Sequence, residues 1–217
     1  MRIKVCGMRE PENIRAVEEQ VKPDMMGFIF WEGSKRCVTE VPSYLPQCTR
    51  VGVFVNPTEE EVLQKAKDFS LNAIQLHGQE SPDFCRTIKK QTGLPIIKAF
   101  SIGEGDSSLF TLHSSQYEEI ADIFLFDTKC KCVGGSGEQF DWDILQHYKG
   151  DTPFLLSGGI GPGDEEKVRR WCHPRWVGID LNSRFESAPA YKDTQALAKF
   201  VKGLSPTLSK GEGEIGQ

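Results

Sequence analysis

No stretch of this 217-residue chain is apolar for long enough to span a bilayer. The longest unbroken apolar run, Met25 to Trp31, falls far short of the roughly 20 residues required. Positive charge is also scarce: Lys and Arg total 26 against 31 Asp and Glu, for a net charge of -5, with no basic block to neutralise a run of phosphates. The sequence therefore predicts neither a membrane nor a nucleic-acid partner. The opening residues, Met1 to Gly7, lack the apolar core and small-residue cleavage site of a secretory leader, so a cytoplasmic location is expected. The seven cysteines are odd in number and scattered, which reads as free thiols without a disulfide framework. Cys130-Lys131-Cys132 and Cys172-His173 come nearest to a metal pattern. They lack C-x2-C spacing and lie far apart in sequence, so no metal is expected.

At 38% hydrophobic and 26% charged, the composition is that of a folded globular protein with one core. Short apolar or β-branched runs begin near Ile3, Met26, Val51, Ala73, Ile96, Ile123, Pro153 and Trp176, spaced by 23, 25, 22, 23, 27, 30 and 23 residues. That spacing holds one strand, one loop and one crossover helix. Helices are expected over Glu10 to Gln20, Glu59 to Phe69, Asp83 to Gln91, Asp164 to Cys172 and Thr194 to Lys202, with Pro11 and Pro82 in first turns. Between Gly103 and Asp122 a Gly-Glu-Gly-Asp-Ser-Ser stretch blurs the helical period. Eight βα units over residues 1 to 204 predict an α/β fold, a single (β/α)8 TIM barrel. An open doubly wound sheet is the rival, though no G-x-G-x-x-G follows the first strand. Residues 205 to 217 are expected to form a frayed tail.

In such a barrel the working face is the carboxyl end of the strands, and here those ends are polar. Gly158, Gly159 and Gly161 after the seventh strand could let backbone N-H groups approach an anion, or could simply make a tight turn. Cys6 ends the first strand, either as a thiol at the barrel mouth or as packing. Asp127 ends the apolar run Ile123 to Phe126. A carboxyl at the edge of a low-dielectric core is suited to general-acid work, but capping the next loop is an equal reading. Arg36 could clamp a carboxylate or phosphate in a bidentate fork, or be an ordinary surface arginine. His77, the only histidine at a strand end, could line the site or be a hydrogen-bonded core residue.

Together these segments resemble the phosphoribosylanthranilate isomerase family of tryptophan biosynthesis over roughly residues 3 to 203. The match is carried by Lys4-Val5-Cys6-Gly7-Met8, Gly27-Phe28-Ile29-Phe30, Ser34-Lys35-Arg36, Val51-Gly52-Val53-Phe54-Val55-Asn56 and Gln75-Leu76-His77-Gly78. It continues in Phe126-Asp127-Thr128, Gly134-Gly135-Ser136-Gly137 with Phe140-Asp141-Trp142, and Ser157-Gly158-Gly159-Ile160. The resemblance implies an Amadori rearrangement of N-(5-phosphoribosyl)anthranilate to 1-(2-carboxyphenylamino)-1-deoxyribulose 5-phosphate, without cofactor or metal. It places the general base at Cys6, the general acid at Asp127 and the anthranilate carboxylate at Arg36. His77 would line the pocket, Gly135 would help to close over it, and the phosphate would sit against Gly158, Gly159, Asp180 and Ser183. The implied partner is a phosphorylated small molecule, and a monomer is expected.

Ser183-Arg184-Phe185-Glu186 departs from the family's Ser-Gly-Val-Glu, placing Arg184 where a glycine is common. Two alternatives stand beside the isomerase reading, the first of them suggested by this departure. One is a phosphate-ligand-binding barrel without turnover; the other is a related aminoaldose isomerase of histidine biosynthesis, a family that uses two aspartates.

Overall fold

A computed structural model describes residues 1–102, 114–128 and 141–205. Eight parallel strands close into one barrel in sequence order: β1 (Arg2–Cys6), β2 (Met25–Ile29), β3 (Thr49–Phe54), β4 (Ala73–Leu76), β5 (Ile96–Ile102), β6 (Ile123–Thr128), β7 (Phe154–Leu156) and β8 (Trp176–Leu181). Closure comes from β1 pairing with β8, with Lys4 opposite Asp180. Each strand follows the expected period, because burial on both faces requires nearly continuous apolar residues.

Alternation sorts these residues into two layers. Met25, Val51, Val53, Ala73, Ile97, Ala99, Leu125 and Leu155 fill the lumen together with Cys6. Their sequence neighbours, including Val5, Met26, Ile74, Phe124 and Leu156, pack outward against the helices. The period-2 rule therefore also puts Lys4, Gly27, Gln75 and Asp127 on the lumen side. Strand β8 breaks the rule once. Phe154 pairs with Trp176 but Leu155 pairs with Gly178, so Val177 is an extra residue and the faces exchange beyond it. Val177 packs in the lumen cluster while Ile179 and Leu181 pack outward, which turns Asp180 inward.

The described helices are α1 (Pro11–Val21), α2 (Glu59–Asp68), α3 (Pro82–Thr92), α4 (Glu165–Arg170) and α5 (Thr194–Gly203). Their starts follow local chemistry. Thr58 and Glu61 make a reciprocal capping box on α2, Ser81 accepts from Phe84 N on α3, and Asp193 accepts from Ala196 N on α5. The helix expected over Asp164 to Cys172 shortens to six residues. Residues 30–48 contain no helix. Glu18 of α1 holds that loop instead: it accepts from Gln47 N at 2.6 Å, Cys48 N at 3.3 Å and the Tyr44 hydroxyl. Between β6 and β7 the described crossover is a 3-10 segment, Trp142–His147. After β8 a 3-10 turn (Ser183–Phe185) leads into a small antiparallel pair, β9 (Glu186–Ala188) and β10 (Tyr191–Lys192). No described helix is long and apolar enough to cross a membrane.

Candidate active site

Four carboxyl-end residues converge on the barrel mouth. Cys6 closes β1 and is only 4% exposed. Its sulfur needs the space left by Gly27 on β2, where a Cβ would come within 2.8 Å of Sγ and 3.3 Å of Lys4 Nζ. Burial pushes the Cys6 thiol above its ordinary value. Lys4 and Lys192 pull it back, whereas Asp180 pushes it further up.

Beneath it, Lys4 and Asp180 form an ion pair at 2.9 Å, and Ser157 Oγ donates to the other Asp180 oxygen at 3.4 Å. Burial raises the Asp180 carboxyl. Lys4 opposes that shift, Asp127 adds to it and His77 opposes it, so Asp180 is in electrical contact with both sides of the mouth.

His77 and Asp127 meet across the opening, with Nε2 3.4 Å from Oδ2 and side chains 26% and 29% exposed. The sequence suggests a carboxyl at the edge of an apolar core, and Asp127 sits at the end of β6 in the mouth with an imidazole beside it. His77 is oriented from below: Gln75 Nε2 donates to its Nδ1 at 2.9 Å, which leaves the proton on Nε2, facing Asp127.

Arg36 is brought to the same mouth from the loop after β2. Glu186 grips it through Nε and Nη2. Lys192 Nζ donates to Oε1 of that carboxylate at 2.5 Å and to Asn182 Oδ1 at 2.7 Å. Burial pushes the Glu186 carboxyl up, but its bonds to Arg36 and the Lys192 charge prevail and hold it below the ordinary range.

The glycines expected at an anion site divide into two kinds. Gly158 and Gly159 adopt φ of 88° and 67°, which side chains rarely tolerate, so the turn after β7 needs them as glycine. Gly161 is not in that conformation. A Cβ there would meet Arg184 Cβ and Nε at 2.9 Å, so its smallness makes room for Arg184. Ser183 opens the 3-10 turn beside this loop. The Asp180 carboxylate faces the lumen, receiving Lys4 Nζ on Oδ1 and Ser157 Oγ on Oδ2. Gly135, Cys130 and Cys132 lie outside the described residues.

A family model for N-(5'phosphoribosyl)anthranilate (PRA) isomerase matches residues 3–203. The chain belongs to that family. The N-(5'-phosphoribosyl)anthranilate isomerase of Phocaeicola vulgatus is 54% identical over 209 residues, which is 96% of this chain and 100% of that protein. A crystal structure of the isomerase from Thermus thermophilus superposes with a TM-score of 0.78 at 28% identity, covering 94% of this chain and 98% of that one. A family crystal structure in complex with reduced 1-(o-carboxyphenylamino)-1-deoxyribulose 5-phosphate superposes with a TM-score of 0.72 at 29% identity, with the same coverages. Membership makes the chain an isomerase and sets aside both the barrel without turnover and the histidine-pathway alternative.

Sequence reading missed several residues that hold this isomerase site together: Lys4, Gln75, Glu186 and Lys192. Two of them carried a signal. Lys4 and Gln75 are polar residues inside apolar strands, each two positions before a candidate, and period-2 alternation places each on its candidate's face. Glu186 and Lys192 come from the β9–β10 excursion, whose path local sequence did not reveal.

Proposed function

We propose that this chain catalyses the Amadori rearrangement of N-(5-phosphoribosyl)anthranilate in tryptophan biosynthesis, with Asp127 as general acid and Cys6 as general base. The reading is carried by one observation: Cys6 and Asp127, from separated strands β1 and β6, share the barrel mouth, where Asp127 meets His77 at 3.4 Å and Cys6 lies above the buried Lys4–Asp180 pair.

Asp127 gives its proton to the furanose ring oxygen. The C1–O bond breaks as the anilino nitrogen lone pair moves in, leaving a C1=N iminium. That cation acidifies the C2–H, so the Cys6 thiolate can take the proton while the C–H electrons form the C1–C2 double bond of an enolamine. Tautomerisation yields the C2 ketone. Cys6 acts as a base and forms no covalent bond to substrate.

Arg36, fixed by Glu186, receives the anthranilate carboxylate. Gly158, Gly159 and Ser183 hold the phosphate through the loops after β7 and β8. His77 positions the acid through its contact with Asp127.

The test is the loss of anthranilate-type fluorescence when purified protein meets substrate generated in situ. Cys6→Ala and Asp127→Asn are each expected to lower turnover roughly 10²–10⁴-fold with the fold intact by circular dichroism. Near-normal turnover in either variant removes that residue's role.

A further inference from the structure

Lys4 takes no part in the steps above, yet it is completely buried with its ammonium beneath the reacting thiol. We propose that Lys4, held in place by Asp180, is a positioning residue that stabilises the Cys6 thiolate and so sets the fraction of enzyme carrying an active base. The proposal rests on the reading of Cys6 as the general base and deepens it.

Three features support it. First, the Cys6 sulfur and the Lys4 nitrogen converge on the space above Gly27: a Cβ placed there would lie 2.8 Å from the one and 3.3 Å from the other. Second, the other cations near Cys6 are engaged elsewhere. Lys192 pairs with Glu186 at 2.5 Å, and Arg36 is held by the same carboxylate at 2.6 Å. Among the described residues, the remaining charged neighbour of the thiol is Asp180 on β8, and β2 presents Gly27 there. Third, Lys4 remains a cation. Burial pulls its value down, but Asp180 and Cys6 together push it above the ordinary lysine range.

One ammonium thus faces two acids, each of which burial keeps protonated to higher pH. A charge on Asp180 competes with a charge on Cys6 for Lys4. Removing the cation and neutralising the competing acid should therefore shift Cys6 in opposite directions, which a merely structural role would not produce.

The experiment follows thiolate absorbance near 240 nm against pH in the full chain. The Cys6→Ala signal is subtracted to isolate Cys6 from the other cysteines, and kcat/KM is measured over the same range. Lys4→Met is expected to move the Cys6 titration up by about one pH unit or more, roughly tenfold less thiolate at a given pH. The Cys6-dependent limb of kcat/KM should move with it, and Lys4→Arg should restore most of both. Asp180→Asn is expected to move the titration down.

An unchanged titration in folded Lys4→Met, or shifts of the same sign in Lys4→Met and Asp180→Asn, overturns the proposal. If Lys4→Met does not fold, Asp180→Asn and Lys4→Arg decide: a downward shift in the first with a near-parental titration in the second supports it, and no shift in the first overturns it. Near-normal turnover by Cys6→Ala overturns the base assignment itself, and with it the catalytic meaning of Lys4. That failure is visible in turnover alone, whereas failure of the Lys4 proposal is visible in the titration.

Discussion

Glu186 grips Arg36 side-on, receiving Nε on Oε1 at 2.8 Å and Nη2 on Oε2 at 2.6 Å. A forked pair of this kind fixes the plane of the guanidinium as well as its position. Glu186→Gln keeps the shape but removes the charge, weakening an interaction of about 1.5–3 kcal/mol. The expected outcome in steady-state kinetics is a KM raised roughly tenfold or more, with kcat much less affected. A fall confined to kcat would show that Glu186 serves the chemical step instead.

The same carboxylate should leave a mark on stability against pH. Its pKa in the folded chain lies below the ordinary value because Arg36 and Lys192 outweigh burial. The stability it contributes is fully present above the unfolded value of about 4.3 and is lost as pH falls through the folded one. Urea midpoints taken from pH 7 down to pH 3 should therefore fall less steeply for Glu186→Gln than for the parent. Parallel curves would remove Glu186 from the acid limb.

Gln75 dictates which imidazole nitrogen carries the proton. Replacing it with Leu leaves Nδ1 without its donor and lets the tautomers exchange, so kcat should drop about tenfold, less than the roughly 10²–10⁴-fold lost when an acid–base group is removed outright. Near-parental kcat in folded Gln75→Leu would show that the contact does not govern the ring.

Lys98 and Glu80 form a further buried ion pair at 2.9 Å, each side chain 2% exposed. Glu80 also accepts from Asn56 N and Gly78 N at 2.9 Å, and Lys98 donates to the Gly78 carbonyl at 2.8 Å, which ties down the loop after His77. Lys98→Met leaves the carboxylate buried without its cation and should cost about 3–5 kcal/mol in urea unfolding. A loss below about 1 kcal/mol would contradict this bracing role.

Much of the architecture was legible because a parallel barrel repeats one simple instruction. Runs such as Ile123-Phe124-Leu125-Phe126 can lie only in strands buried on both faces, and Ser81-Pro82 marks a helix start by local chemistry alone. The positions of Cys6, His77 and Asp127 followed from strand ends in the same way. Local sequence could not show that Glu186 would return to Arg36 from 150 residues away, since that depends on the path of the β9–β10 excursion. Nor did it show that Asp180 would point inward to Lys4, because an alternation count along β8 misses the extra residue.

That extra residue, Val177, works like a frameshift within the strand. Upstream of it β8 alternates in one phase and downstream in the other, so the aspartate and not the isoleucine looks into the barrel. Deleting Val177 would remove the bulge, keep Phe154 opposite Trp176 and Leu155 opposite Gly178, and leave Asp180 facing inward. Within this strand, the identity of the inward-facing group is therefore set by where the ladder slips as much as by residue type.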